Sequence, residues 1–329
     1  MKSLIDRRTF FVGMTGLSGT LWIAPWVRAA EQVALKPMPR RALGRTKQEV
    51  SMLGLGTAPM GHAYVGEEIA VPAIHAALDQ GVNYIDSALI YDDAQAYVGK
   101  VTPTRRDEMF LITKTWANTW EEAEKSLTSS LKILATDHVD LCHIHNIGAL
   151  DPKKVLAEKG SLAYLIHAKE KGLTRFVGVT GHFKISFFPD VLNTGEIDVM
   201  MVVQNFVDCH LYDFRSAVFP LAKKHGTAIV AMKVFGGRNV EGTSAPWGQY
   251  PRPGSSQMPK DLLPDALRYV LSLEDVNVAL TGVYNGQEIV QNAGWAKEFT
   301  PMTAEEKKSI EEKGKQMAAD WGTRLGEAG

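Results

Sequence analysis

The 329-residue chain has only two cysteines, Cys142 and Cys209. Two thiols cannot staple a loop-rich disulfide fold, nor supply the four thiolates of a zinc ribbon or an iron–sulfur cluster. Charge of one sign is also missing. With 36 basic against 37 acidic side chains the formal charge is −1, so no positive field exists to hold nucleic acid or an anionic membrane. There is no long linker and no low-complexity block. The Gly-rich turn of a doubly wound sheet is absent as well. Gly54-Leu55-Gly56-Thr57-Ala58-Pro59 has no third glycine where a dinucleotide fingerprint needs one. What is present is ordinary globular composition, 45% hydrophobic and 22% charged, which excludes disorder, collagen and coiled coil.

The first residues read as an address. Arg7-Arg8 precede an uncharged stretch from Thr9 to Val27, diluted by Gly13, Gly16 and Gly19, and Val27-Arg28-Ala29 offers a small-residue exit. Basic region, apolar region and small-residue exit make a signal peptide over residues 1–29. The arginine pair with Phe10 resembles the twin-arginine type. That resemblance implies recognition by the twin-arginine export machinery and a periplasmic or exported location. An uncleaved membrane anchor is the alternative, although glycines weaken a run already short for a span. Residues 30–329 then form a single domain.

Within that domain a short apolar run is repeatedly followed by a helix-like segment. The runs are Met52–Thr57, Val82–Asp86, Met109–Lys114, Val139–His145, Arg175–Thr180, Val199–Gln204, Thr227–Lys233 and Val276–Thr281. They are rich in Val, Ile, Leu and Met, as strands buried on both faces are. Between them lie patterns such as Glu67–Gln80, Trp120–Leu134, Lys153–Lys171 and Phe214–His225. Gly81, Gly172 and Gly226 follow where a helix end favours a left-handed residue. Eight such units predict an α/β fold, a (β/α)8 TIM barrel. Leu43-Gly44-Arg45-Thr46 reads as the turn of an N-terminal β-hairpin closing the barrel bottom. Gly236–Lys260, rich in Gly, Pro and Ser, reads as a long functional loop after strand seven. Thr303–Leu325 reads as a charged, exposed helix.

Barrel active sites lie at the C-terminal strand ends. Strand two ends at Asp86 with Tyr91 just beyond, strand three at Lys114 and strand four at His145. Each residue has a bland reading: a helix cap, a loop aromatic, a rim charge, a core histidine. Together they have a chemical logic. A free tyrosine, with a pKa of about 10, is a poor acid near neutrality. An ammonium beside it favours the phenolate. Lys114 can serve Tyr91 in this way, Asp86 can fix Lys114, and His145 can orient a carbonyl oxygen. A polarised carbonyl with a proton donor invites hydride attack, and hydride comes from a cofactor. A rival reading uses His143 and His145, which face one side of a strand, with His182 as ligands of a metal-dependent hydrolase.

These residues sit in stretches that resemble the aldo-keto reductases over roughly residues 40–299. The matching segments are Arg41–Thr46, Leu53–Thr57, Gly81–Ala88 with Tyr91, Leu111–Lys114, Asp140–His145, Arg175–Thr180, Gln204-Asn205 and Gly282–Asn292, in that order. The resemblance implies a barrel that binds a nicotinamide cofactor without a Rossmann domain and reduces aldehydes or ketones. It places the catalytic tetrad on Asp86, Tyr91, Lys114 and His145. Cofactor contacts fall on Thr57, Thr180, Gln204, Met232, Lys233, Phe235, Gly282, Glu288 and Asn292. Met60, His62, Trp116 and Asn146 are candidates for the substrate pocket, with wall or core packing as the alternative for Trp116 and Met60.

Departures from the family pattern matter for the cofactor. Thr180-Gly181-His182 replaces the usual Ser-Asn, and Met232 stands where an aromatic stacks on nicotinamide, with Phe235 nearby. After strand eight no cation appears, and Glu288 stands where an arginine often contacts the 2′-phosphate. An acid repels a phosphate but accepts a hydrogen bond from a ribose hydroxyl. NADPH or NADH therefore both remain candidates, with NADH expected to serve at least as well. Arg238 or Lys260 could restore the missing cation. Small-molecule carbonyls are the expected partners. A slow or non-catalytic redox-sensing module that holds its nucleotide is the second reading, because export leads away from the cytoplasmic pool.

Overall fold

The eight apolar runs become eight parallel strands that close on themselves. In the computed structural model, which describes residues 36–62, 64–237 and 256–328, two short strands come first. These are β1 (Arg40–Ala42) and β2 (Glu49–Ser51), paired antiparallel. The barrel strands follow: β3 (Leu53–Gly56), β4 (Tyr84–Asp86), β5 (Phe110–Thr115), β6 (Val139–Ile144), β7 (Thr174–Gly181), β8 (Val199–Val203), β9 (Ala228–Met232) and β10 (Val276–Gly282). Each pairs with its sequence neighbour, and β10 closes on β3. The expected signal region, residues 1–29, lies outside the described residues, as does most of the long loop after β9, including Arg238. Contacts group Lys36–Gly329 into one unit.

The hairpin caps the N-terminal end of the barrel. Arg45 N–H donates to the Gly226 carbonyl at 2.8 Å, and Asn277 Nδ2 donates to the Ala42 carbonyl at 2.8 Å. Gly44 must be glycine: its φ is +53°, and a Cβ there would stand 2.7 Å from the Ala228 nitrogen. Above the hairpin, Tyr84, Phe110 and Phe176 stack, with ring centroids 5.7 and 6.2 Å apart, and plug the barrel floor. The outer helices bury apolar faces against the strands, as in the helix Trp120–Ile133, which buries Ala123, Leu127 and Leu131. A capping box at Thr119 and Glu122 starts that helix.

Three local expectations change. The segment expected as one helix over Lys153–Lys171 is two helices, Pro152–Val155 and Ser161–Glu170. Gly160 separates them, its position pressed against the Val155 carbonyl. Phe214–His225 likewise divides into Phe214–Ala217 and Phe219–Lys224. Pro220 explains the break, because it lacks the N–H that would continue the helix. The C-terminal helix, Ala304–Trp321, is not simply exposed. It buries Ile310, Gly314, Ala318 and Trp321, and a Cβ on Gly314 would stand 1.8 Å from the Phe206 carbonyl oxygen. Charges every few residues hid that narrow inner face.

Candidate active site

The C-terminal strand ends bring the four expected catalytic side chains into one cluster. Lys114 Nζ donates to Asp86 Oδ2 at 2.7 Å and to the Ser87 carbonyl at 2.9 Å. Both partners of this ion pair are buried, with side chains 1% and 3% exposed. Burial opposes each charge, raising the Asp86 carboxyl and lowering the Lys114 ammonium, while their mutual attraction works against both shifts. The ammonium lies 4.7 Å from the centre of the Tyr91 ring. His145 meets that ring edge-on at 5.6 Å. Burial holds His145 well below the usual histidine range, and Lys114, His182, His143 and Lys233 push it in the same direction. A neutral imidazole keeps one N–H to donate.

Two loops interlock to position Tyr91. Asp93 N–H donates to the Gly61 carbonyl at 3.2 Å. A Cβ on Gly61 would lie 1.9 Å from the Tyr91 carbonyl oxygen. Backbone cannot yield as a flexible side chain can, so Gly61→Ala must displace the Tyr91 loop. We expect kcat to fall by about 10²-fold, since small misplacements of reacting groups cost that much. Steady-state kinetics beside a thermal melt checks this; an unchanged kcat would refute the coupling. Sequence reading missed Gly61, whose constraint comes from a segment 30 residues away.

The pocket candidates separate. Trp116 is 41% exposed and stands edge-on to His145 at 5.4 Å, so it faces the mouth. His62 pairs with Asp92 at 3.4 Å, beside Tyr91, and its ring stacks on Tyr64 at 5.6 Å. Asn146, in a left-handed conformation with φ 55°, lies 3.3 Å from His182 Nδ1 through its Oδ1. Met60 is fully buried in the hydrophobic core. Core packing is the alternative expectation for this side chain.

The cofactor candidates can be tested for fit. Gln204 follows β8, is fully buried, and both Nε2 and Oε1 lack a hydrogen-bond partner among the described residues. A buried carboxamide without partners costs stability unless a ligand pairs with it. A nicotinamide amide offers the matching donor and acceptor, so this residue fits the group. Thr180 Oγ1 accepts from Asn146 N–H at 2.8 Å, which orients the loop that carries Asn146. Thr57 Oγ1 donates to the Asp86 carbonyl at 2.9 Å, and Asn292 Nδ2 donates to Thr281 Oγ1 at 3.3 Å. These two brace the strand ends. Met232 packs in the core at the end of β9. Lys233, with φ 58°, acts on Asp86, His145 and His182. Phe235 is edge-on to Trp295 at 6.5 Å rather than alone at the mouth. Gly282 is exposed, and a Cβ there would press on Pro59 at 2.9 Å. Glu288 Oε2 accepts the Tyr284 N–H at 2.7 Å, while Asn285 Oδ1 accepts the Glu288 N–H at 3.0 Å, closing the start of helix Gly286–Lys297.

Among the described residues no three His, Cys, Asp or Glu side chains converge to hold a metal. His143, His145 and His182 thus lack the ligand set a hydrolase would require.

Comparison with known proteins identifies the family. The sequence pattern of the Aldo/keto reductase family matches residues 52–253. The chain belongs to the aldo/keto reductase family. It is 26% identical over 287 residues to an L-galactose dehydrogenase of Arabidopsis thaliana, covering 77% of this chain and 86% of the relative. It is 29% identical over 293 residues to human aldo-keto reductase family 1 member C2, covering 79% and 87%. Among solved structures, a Bacillus halodurans aldo-keto reductase in its holo form superposes with a TM-score of 0.67 at 22% identity, covering 84% of this chain and 96% of that one. A Klebsiella pneumoniae aldo/keto reductase in complex with NADP and acetate has a TM-score of 0.65 at 20% identity, covering 83% and 94%. The homologues are oxidoreductases, and this aldo/keto reductase carries the family's barrel with a small antiparallel hairpin before it.

Proposed function

We propose that the protein is a nicotinamide-dependent carbonyl reductase in which Tyr91 is the proton donor. The observation that carries this reading is the buried Lys114–Asp86 pair set against the Tyr91 ring, with neutral His145 edge-on to the same ring. A bound nicotinamide would supply the hydride that the carbonyl carbon accepts. His145 donates a hydrogen bond to the carbonyl oxygen and orients it. Tyr91 gives its proton to that oxygen, forming the alcohol. Lys114 stabilises the phenolate left behind, and Asp86 holds Lys114 in place. Gln204 and Lys233 are the residues that would hold the nicotinamide end.

Glu288 supports acceptance of NADH at least as readily as NADPH. Its carboxylate sits at the start of the helix after β10, where it would repel a 2′-phosphate. Fluorescence titration with the two nucleotides tests both points. Comparable affinities are expected, and a much tighter fit for NADPH would reject the role given to Glu288. Tyr91→Phe should bind nucleotide normally and lose about 10²–10⁴-fold in kcat, the usual worth of a positioned acid. Normal turnover would reject Tyr91 as the donor.

The Arg7-Arg8 leader supports export of the folded protein by the twin-arginine route. Cell fractionation after changing both arginines to lysine is expected to leave the protein inside. Unchanged export would refute that route.

A further inference from the structure

The barrel interior holds two fully buried polar side chains, His143 and Tyr84, that the reaction scheme does not use. Register partners on parallel strands present their side chains to the same face of the sheet. His143 on β6 is registered with Lys114 on β5 and with Gly178 on β7. Lys114 meets Asp86 inside the barrel, so His143 points inward as well. Tyr84 lies two residues before Asp86 on β4 and shares its face.

His143 has no exposed surface, and among the described residues neither ring nitrogen has a hydrogen-bond partner. Asp86 Oδ1 and the Tyr84 hydroxyl are also buried without hydrogen-bond partners among the described residues. Buried polar atoms are normally satisfied by protein or ordered water. Space for the ring is provided deliberately: a Cβ on Gly178 would stand 2.2 Å from His143 Nδ1. An apolar side chain would fill this barrel level at lower cost, since it brings no unsatisfied nitrogen.

We propose that His143 is a positioning residue for Lys114, forming with Tyr84 a hydrated polar floor under the Lys114–Asp86 pair. This rests on the catalytic roles given above to Lys114 and Tyr91. A neutral imidazole and its water solvate the buried ammonium from below, where an aliphatic wall would not. The ring is held neutral by burial and by Lys114. The ionisable groups that interact with it are Lys114 from β5 and His145 from its own strand β6. Burial pushes the Cys142 thiol up to about 12, so it does not titrate in the working range. β7 contributes only Gly178 at this level.

The test is His143→Leu, with His143→Gln as the polar control. His143→Leu should fold, with a melting temperature equal to or above that of the parent. Its kcat should fall by about tenfold through misplacement of Lys114. The basic limb of its pH–kcat profile should move to lower pH, because a less solvated ammonium loses its proton sooner. KM and nucleotide affinity should be unchanged, and His143→Gln should recover most of the activity. A parental kcat and pH profile in His143→Leu would overturn the proposal and leave His143 as a space filler. Should His143→Leu fail to fold, nitrogen NMR of the histidine rings in the parent and in Tyr84→Phe decides the matter. A neutral His143 ring whose signals move when the Tyr84 hydroxyl is removed supports the shared floor; unmoved signals overturn it. Loss of Tyr91→Phe activity with unaltered His143→Leu would refute this inference alone. A fully active Tyr91→Phe would instead refute the reaction scheme.

Discussion

Lys114→Met is expected to be inactive and markedly less stable than the parent. The substitution removes a charge that is 1% exposed from a partner that is 3% exposed. Asp86 Oδ1 already lacks a hydrogen-bond partner among the described residues, so Oδ2 would join it and leave an unpaired carboxylate inside the barrel. Breaking a buried pair in this way costs about 3–5 kcal/mol. The sign of the pH dependence follows. The Asp86 carboxyl is raised in the folded protein even with Lys114 present. Without the ammonium it rises further, so the folded state binds more protons than the unfolded chain. The deficit is therefore small at acid pH and grows as pH rises through the folded-state value. Urea unfolding of parent and variant at pH 5 and pH 8 measures this directly. The double variant Lys114→Met/Asp86→Asn should recover stability at pH 8 while staying inactive. Equal stability of Lys114→Met and the parent at pH 8 would show that the pair is not buried as described.

Arg324→Ala carries the second large effect, and it acts on the chain terminus. Asp208 is fully buried and accepts from Arg324 Nη1 at 2.7 Å and Nη2 at 2.8 Å, Trp321 Nε1 at 3.0 Å and Asn205 Nδ2 at 2.6 Å. Arg324 also donates to the Gly236 carbonyl, where the long loop after β9 begins. One guanidinium thus ties the C-terminal segment to the loops after β8 and β9. The segment continues across the mouth: Leu325 N–H donates to the Tyr212 hydroxyl at 2.9 Å, and Lys184 N–H donates to the Glu327 carbonyl at 2.9 Å, two residues beyond His182. Removing the guanidinium leaves Asp208 charged with two neutral donors, a loss of about 3 kcal/mol at the low end for a broken buried pair. Hydrogen exchange should rise over residues 322–328 first, because this segment carries the lost guanidinium. Arg324→Lys should not rescue, since an ammonium cannot reproduce the paired donors. Parental exchange over the tail in Arg324→Ala would remove this clasp from the account.

Local pattern was enough to read much of this protein. The apolar runs are strands because buried parallel strands need Val, Ile, Leu and Met on both faces, and their ends differ from the observed ones by at most two residues. A barrel places its chemistry at those ends, so Asp86, Lys114 and His145 were legible as a group, with Tyr91 one loop beyond. Gly81, Gly172 and Gly226 do adopt left-handed φ of 84°, 73° and 69°. Such features depend on residues near one another in the chain.

Tertiary structure alone decided the rest. Gly61 under the Tyr91 backbone, Gly178 beside His143, and Arg324 on Asp208 are contacts between segments roughly 30 to 116 residues apart. No periodicity encodes them. Asn205 three residues before Asp208 looks like a local turn, and the hub appears only when the C-terminal helix delivers Trp321 and Arg324. Glu288 was legible as an acid near a cofactor end, yet its carboxylate closes the start of its own helix. The sequence by itself determined which chemical groups stand at the strand ends, since strand period and strand length are local. Which of those groups lose water, and which are left without partners, was decided by the closing of the barrel, because burial is a property of the whole surface.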